Sequence, residues 1–142
     1  MVCAGVDAPG GIIWSNERWL VDHCVGPLGV GTLIVKPVRH ETSMGGLTER
    51  EANDLGPLLK RAAAVVKDLA NADQVYVCLW SHAGFVPGHI HFVVQPTTNA
   101  MSQSYTHPGP SIQEAMFEAG VLPDPEAAAK FATRARDILK GS

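Results

Sequence analysis

Two imidazoles stand two residues apart in Gly88-His89-Ile90-His91-Phe92-Val93-Val94-Gln95-Pro96, a β-forming segment. Side chains alternate across a strand, so His89, His91 and Val93 share one face while Ile90, Phe92 and Val94 share the other. The apolar face anchors the strand and the histidine face is left for chemistry. An imidazole attacks phosphorus when one ring nitrogen is unprotonated and a hydrogen bond fixes the other. With an ordinary pKa of about 6.5, histidine needs no large shift to be mostly neutral near pH 7. His91 is placed for such attack, and His89 either orients it or lines the same pocket.

The elements that must hold this strand are legible in outline. Ile12-Ile13-Trp14 and Arg18-Trp19-Leu20-Val21-Asp22 flank a short polar connection and read as a hairpin. The turn segment Gly26 to Gly29 precedes a strand over Gly31-Thr32-Leu33-Ile34-Val35-Lys36-Pro37. Thr48-Glu49-Arg50-Glu51 has the form of a capping box. Leu55, Leu58, Leu59, Ala62, Val65, Val66 and Leu69 then recur at helical spacing, predicting one amphipathic helix over about 48 to 70. Asn71-Ala72-Asp73 turns into an alternating strand, Gln74 to Trp80, and the loop from Ser81 leads to the histidine strand. A polar loop is expected from Thr97 to Pro110. A second capping box, Ser111-Ile112-Gln113-Glu114, then opens a short helix stopped at Gly120, and a last helix begins at Asp124-Pro125. Strands, helix, strands, then helices describe an α+β domain with helices packed on an antiparallel sheet.

The 142 residues, 46% hydrophobic and 18% charged, suit one globular domain with a buried core. A net charge of −3, with 11 Lys and Arg that form no run, excludes the footprint of long nucleic acid and leaves a nucleotide-sized ligand. Cys3, Cys24 and Cys78 are odd in number with no C-x-x-C pair, which argues against a disulfide framework and a cysteine-built zinc site. They are expected to be reduced packing residues. The chain starts with neither a basic region nor an apolar run, and no apolar run nears 18 residues, so a cytoplasmic protein without a membrane segment is expected.

The stretch His89-Ile90-His91-Phe92-Val93-Val94 resembles the histidine triad motif, His-φ-His-φ-His-φ-φ with φ apolar, of the HIT superfamily of nucleotide hydrolases and transferases. Gly31 to His40 is similar to that family's second signature, a glycine, an apolar strand and Pro-x-x-His, and Leu47-Thr48-Glu49 opens the long helix that follows it. Residues 11 to 96 follow the family order, whereas 97 to 142 form a divergent C-terminal helical extension. The resemblance implies a HIT-like α+β fold in a single domain: an antiparallel sheet of about five strands, one long helix and C-terminal helices. It also implies a homodimer joined through the helix and sheet edge.

Carried over by residue, the resemblance makes His91 the nucleophile that forms a nucleotidyl-phosphoramidate and His89 the first triad histidine, whose backbone carbonyl fixes the nucleophile's ring. The third triad position is Val93, which neither donates a proton nor stabilises negative charge, a loss of about 10² to 10³ in rate if nothing replaces it. Phe85 and Val86 stand where a phosphate-holding Ser or Gln is usual. Ser81 and His82 are the candidate replacement donors, and Gly84 and Gly88 allow backbone amides to approach a phosphate. Asp22 is a candidate for the ribose hydroxyls or, equally, a solvated strand residue. His40 is a candidate site residue or a surface histidine. In some family members the positions of His40 and His89 share zinc with two N-terminal cysteines, but only Cys3 is available here, so no metal and no other cofactor is predicted.

Lys36 and Arg39 read as charges that solubilise a strand end, and Trp14, Trp19, Trp80 and Phe92 as core residues rather than base-stacking ones. Phe85 either closes over a nucleobase or fills space. Three functions compete: cleavage of a phosphorus-linked bond on a nucleoside monophosphate through His91, a nucleotide-binding module that has lost turnover, and a cupin-like metal barrel. Against the last, Gln95 stands where a carboxylate is wanted, and a capped helix of about 23 residues fits an all-β barrel poorly.

Overall fold

A computed structural model describes residues 7–81 and 88–141. Five strands, β1 (Trp14–Ser15), β2 (Trp19–His23), β3 (Leu33–Pro37), β4 (Gln74–Trp80) and β5 (His91–Thr97), form one antiparallel sheet in the order β1-β2-β3-β5-β4. The β1–β2 connection is closed by Asn16, whose Oδ1 accepts the backbone N–H of Arg18 at 2.8 Å and of Trp19 at 2.7 Å. Four helices complete the α+β architecture: α1 (Glu49–Leu69), α2 (Asn99–Tyr105), α3 (Ile112–Ala119) and α4 (Pro125–Lys140).

Helix α1 begins at the capping box read in the sequence. The Glu51 N–H donates to Thr48 Oγ1 at 3.1 Å and the Thr48 N–H donates to Glu51 Oε2 at 2.9 Å. Arg39 also grips Glu51, through Nε and one terminal nitrogen at 3.0 Å each. It therefore ties the end of β3 to the start of α1, and is not a solubilising charge as its sequence context suggested. Just past the helix's last residue, Leu69, and the C-cap Ala70, Asn71 takes the left-handed conformation (φ 49°) that asparagine tolerates after a helix C-terminus. Glycine is required at position 31, where φ is +98° and an added Cβ would come within 3.1 Å of the Phe131 ring.

The sheet has a different layer on each side. On one, Trp19, Val21, Leu33, Val35, Phe92 and Val94 pack against Leu55, Leu58, Ala62 and Val66 of α1 and Phe131, Ala132, Ala135 and Leu139 of α4. On the other, Ile34 and Val93 join Cys24 and Leu28 from the β2–β3 connection and Ile112 and Met116 from α3. Alternation along β5 assigns its residues as predicted, Phe92 and Val94 to the first side and Val93 to the second.

Two expectations need correction. The segment after β5 is not all loop: it contains α2, started by Thr98, whose Oγ1 accepts the Met101 N–H at 3.2 Å, and anchored by the Asn99 N–H donating to Asp73 at 2.8 Å. Its residues, Asn-Ala-Met-Ser-Gln-Ser-Tyr, mix strong and weak helix formers, so the cap, this tie and the packing of Met101 and Tyr105 on the second core cluster set it. The second capping box does not form. A 3₁₀ turn over Gly109–Ser111 already holds Ser111 in helical geometry (φ −63°, ψ −17°), and its hydroxyl donates to the Pro108 carbonyl instead.

Candidate active site

The register of four strands brings the reactive groups onto one surface. His91 pairs with Trp80 on β4, Val93 with Cys78 on β4 and Ile34 on β3, and Asp22 on β2 with Ile34. Side chains two apart share a face, so Lys36 joins them. They line a cavity of about 190 Å³ whose wall includes Asp22, Cys24, Lys36, Trp80, His91 and Val93, closed on one side by Phe117 of α3. A wider open depression of about 620 Å³ lies beside the end of α1, lined by residues such as Lys67, Asp68 and Asn71, and has no imidazole or thiol in its wall.

His91 is half-buried at the start of β5, and its Nδ1 lies 3.3 Å from the backbone carbonyl of His89. A carbonyl only accepts, so the proton sits on Nδ1 and Nε2 is the basic nitrogen. That tautomer is the one a nucleophile toward phosphorus requires. The His89 ring is elsewhere. Its Nε2 donates to the Pro37 carbonyl at 2.8 Å and its Nδ1 accepts the Glu41 N–H at 3.2 Å, so it is a neutral clamp between the end of β3 and the segment entering β5. Burial pushes the His89 pKa below the ordinary range, which keeps it uncharged. Gly88, at φ +66°, makes the turn that delivers this clamp.

Asp22 is buried, and Lys36 is buried with it: their side chains are 11% and 2% exposed, and Lys36 Nζ donates to Asp22 Oδ2 at 2.9 Å. Neither residue is a solvated strand charge. The reason is positional, because both point to the second side of the sheet, beneath the β2–β3 connection and α3. Trp80 packs against the second core cluster as expected, and it has a further place in the site. It lines the cavity, stacks on Phe117 with ring centroids 5.7 Å apart, and donates from its indole N–H to Gln113 Oε1 at 2.7 Å. Trp14 packs at the margin of the core, and Trp19 and Phe92 are core residues as expected.

Of the residues singled out in the sequence, Asp22, His91 and Val93 meet in the cavity, and His89 contributes its carbonyl. His40 is exposed and stacks on the His89 ring at 5.3 Å, and Ser81 is exposed with its hydroxyl donating to the Thr42 carbonyl at 3.1 Å. His82, Gly84, Phe85 and Val86 lie outside the described residues, as does Cys3. Lys36, Trp80 and Phe117 were missed as site residues, although the two-residue spacing from Asp22 through the paired strands carries the signal for the first two. Zinc on His40 and His89 does not fit, because both ring nitrogens of His89 are held by backbone groups. Among the described residues no three His, Cys, Asp or Glu side chains converge as a metal site would need. Burial raises the Cys24 thiol pKa and keeps it protonated.

Neither a family model nor a curated protein matches the sequence. Solved structures do. A HIT-like protein involved in cell-cycle regulation from Bartonella henselae superposes with a TM-score of 0.71 at 14% identity, over 96% of this chain and 90% of that one. A Zn-bound histidine triad family protein from Mycobacterium smegmatis gives 0.68 at 19% identity over 99% and 91%. A hypothetical histidine triad nucleotide-binding protein from Sulfolobus tokodaii gives 0.68 at 17% over 92% and 83%. The chain has the histidine triad fold. The first two superpositions cover too much of the chain to stop at residue 96, so the C-terminal helices, unplaced by the sequence, lie within the shared architecture.

Proposed function

We propose that the protein cleaves a phosphorus-linked bond on a nucleoside monophosphate, as a nucleotide hydrolase or nucleotidyl transferase with His91 as the nucleophile. The observation that carries this reading is the His89 carbonyl on His91 Nδ1, which fixes the tautomer and aims a basic Nε2 from a strand at a cavity. The Nε2 lone pair forms a bond to phosphorus as the bond from phosphorus to the leaving group breaks. The electron pair departs with the leaving group, which takes up a proton. Water then attacks the adduct, the nitrogen–phosphorus bond breaks, and the nucleoside monophosphate leaves with Nε2 restored.

At about 190 Å³ the cavity is below the usual 300 to 1,000 Å³ of a drug-sized site, and so suits one end of a ligand rather than a whole dinucleotide. Asp22 uses one oxygen toward Lys36, and a carboxylate has acceptor capacity beyond one hydrogen bond, so it retains the role of ribose acceptor. Ser81, His82, Phe85 and Gly88 belong to the same proposal through their position in the sequence just before β5, and His40 through its contact with His89. A homodimer is part of it too: β4 is an edge strand whose Val77 and Leu79 are 41% and 42% exposed. Among the described residues no helix is long and apolar enough to cross a membrane, and a cytoplasmic address is proposed.

A binding module with little turnover is the second reading. It is favoured by Val93, which is 1% exposed and brings no proton donor to the third triad position. The experiment is nucleoside monophosphate release from a panel of dinucleoside polyphosphates and nucleoside phosphoramidates, run on the unmodified protein and on His91→Ala. Turnover abolished by the substitution is expected. Mononucleotide binding without any turnover establishes the binding module instead.

A further inference from the structure

We propose that Lys36 is the cation that meets the phosphoryl oxygens of the ligand in this cavity. The inference rests on the reading of the cavity as a nucleoside monophosphate site, and it identifies the group that makes that site selective for the charged ligand.

Three observations place Lys36 there. The register runs Leu33↔Val94, Ile34↔Val93, Val35↔Phe92, so one further step sets Lys36 opposite His91. Residues directly opposite on paired strands have Cβ atoms about 4.5 to 5.5 Å apart. Continued by that step, the register brings the Lys36 stem beside the His91 side chain, and both line the cavity. Second, Lys36 is 2% exposed and its ammonium donates to Asp22 at 2.9 Å. An ammonium has three N–H donors, so the bond to Asp22 orients the group and leaves donor capacity for an anion. Third, the position two residues beyond His91 on the same face is Val93, so neither side chain flanking His91 on β5's cavity face brings a charge to a pentacoordinate phosphorus.

A structural role alone explains the pair poorly. Apolar residues of similar volume at the two positions are generally at least as stabilising as a buried ion pair, and the opposite face of the same strands is built that way. Sites where local stability is given up in favour of buried charge are where function is expected. Asp22 supplies the opposite charge that lets an ammonium sit in the wall when no ligand is bound. When a phosphoryl group enters, Lys36 is shared between the carboxylate and the phosphoryl oxygens.

The test is calorimetric binding of AMP, adenosine and inorganic phosphate to the unmodified protein and to Lys36→Met. Asp22 meets the ribose of AMP and adenosine alike, so the ratio of the two affinities isolates the phosphoryl contact. The expected result is that Lys36→Met lowers the preference for AMP over adenosine by on the order of 10- to 100-fold, that it abolishes phosphate binding, and that Lys36→Arg restores part of both. An unchanged ratio in Lys36→Met overturns the proposal, even with His91-dependent turnover intact, and leaves the proposed function standing. Failure of the unmodified protein to bind AMP or phosphate overturns both. If Lys36→Met does not fold, NMR of the unmodified protein labelled at lysine Cε decides. A Lys36 resonance that moves with AMP and phosphate but not with adenosine supports the role, and one that moves with none or with all three equally overturns it.

Discussion

On the α1–α4 side of the sheet, Trp19, Val21, Leu33, Val35, Phe92 and Val94 meet largely apolar helix faces, and the buried polar groups there, His23 and Glu51, are both hydrogen-bonded. The His23 Nδ1 donates to the Cys24 carbonyl at 2.8 Å and its Nε2 accepts the Gly31 N–H at 2.9 Å. On the α3 side the same strands bury Asp22, Lys36 and Gln95, while Gln95 Oε1 and the Gln113 side-chain N–H groups have no hydrogen-bond partner among the described residues. Buried polar atoms of this kind are destabilising unless partnered. The first side supplies the stability that lets the second hold charge, an imidazole and a cavity.

Deleting an aromatic ring on each side gives the sharpest contrast. Trp19→Ala removes a fully buried ring and its N–H donation to the Glu51 carbonyl at 2.9 Å, and is expected to lower stability by about 3 to 5 kcal/mol in urea unfolding. Trp80→Ala is expected to lower it by about 1 to 2 kcal/mol while weakening nucleotide binding, because that ring faces the cavity. Equal losses would break the comparison. Next is the buried ion pair: Lys36→Met alone leaves Asp22 uncompensated and is expected to cost up to about 3 to 5 kcal/mol, whereas Asp22→Asn with Lys36→Met should return to within about 1 kcal/mol of the unmodified protein. A double variant no better than the single one would show that the pair is a structural strut.

Acid should act on stability through two buried histidines, His23 on the α1–α4 side and His89 in the clamp that enters β5. Burial lowers the pKa of both His23 and His89 in the folded protein. Between those lowered values and the ordinary 6.5, the unfolded chain binds more protons than the folded one, so stability rises with pH across that interval. The urea midpoint is therefore expected to be level above about pH 6.5 and to fall as pH drops below it. His23→Gln should make the decline shallower, and an unchanged slope would remove His23 from the account. The smallest effect is expected at Phe117, 51% exposed beside the cavity: Phe117→Ala should change stability by less than about 1 kcal/mol and nucleotide affinity by a few-fold.

Much of the fold was legible because its signals are local. The capping box at Thr48 and the apolar spacing from Leu55 to Val66 fix α1, and alternation through β5 separates Phe92 and Val94 from His91 and Val93. Helix α2 was hidden because its apolar face is only Met101 and Tyr105, one turn apart, and its anchor, Asp73, lies 26 positions away. His91 and Asp22, which both line the cavity, were candidates in the sequence through motif and strand position. Lys36 was misread because a lysine is buried only when a partner meets it, and Asp22, 14 residues away, becomes that partner through the β2–β3 register. Phe117 sits on a helix the sequence revealed, but which side of that helix faces the cavity is set by how α3 docks on the sheet.

The most direct test of His91 as nucleophile is mass spectrometry of the protein mixed with each member of the substrate panel and quenched within milliseconds at alkaline pH, where phosphoramidates survive. The expected result is a mass increase of one nucleoside monophosphate less water on the peptide containing His91, absent from His91→Ala. Turnover without an adduct, or an adduct on any other residue, would contradict it.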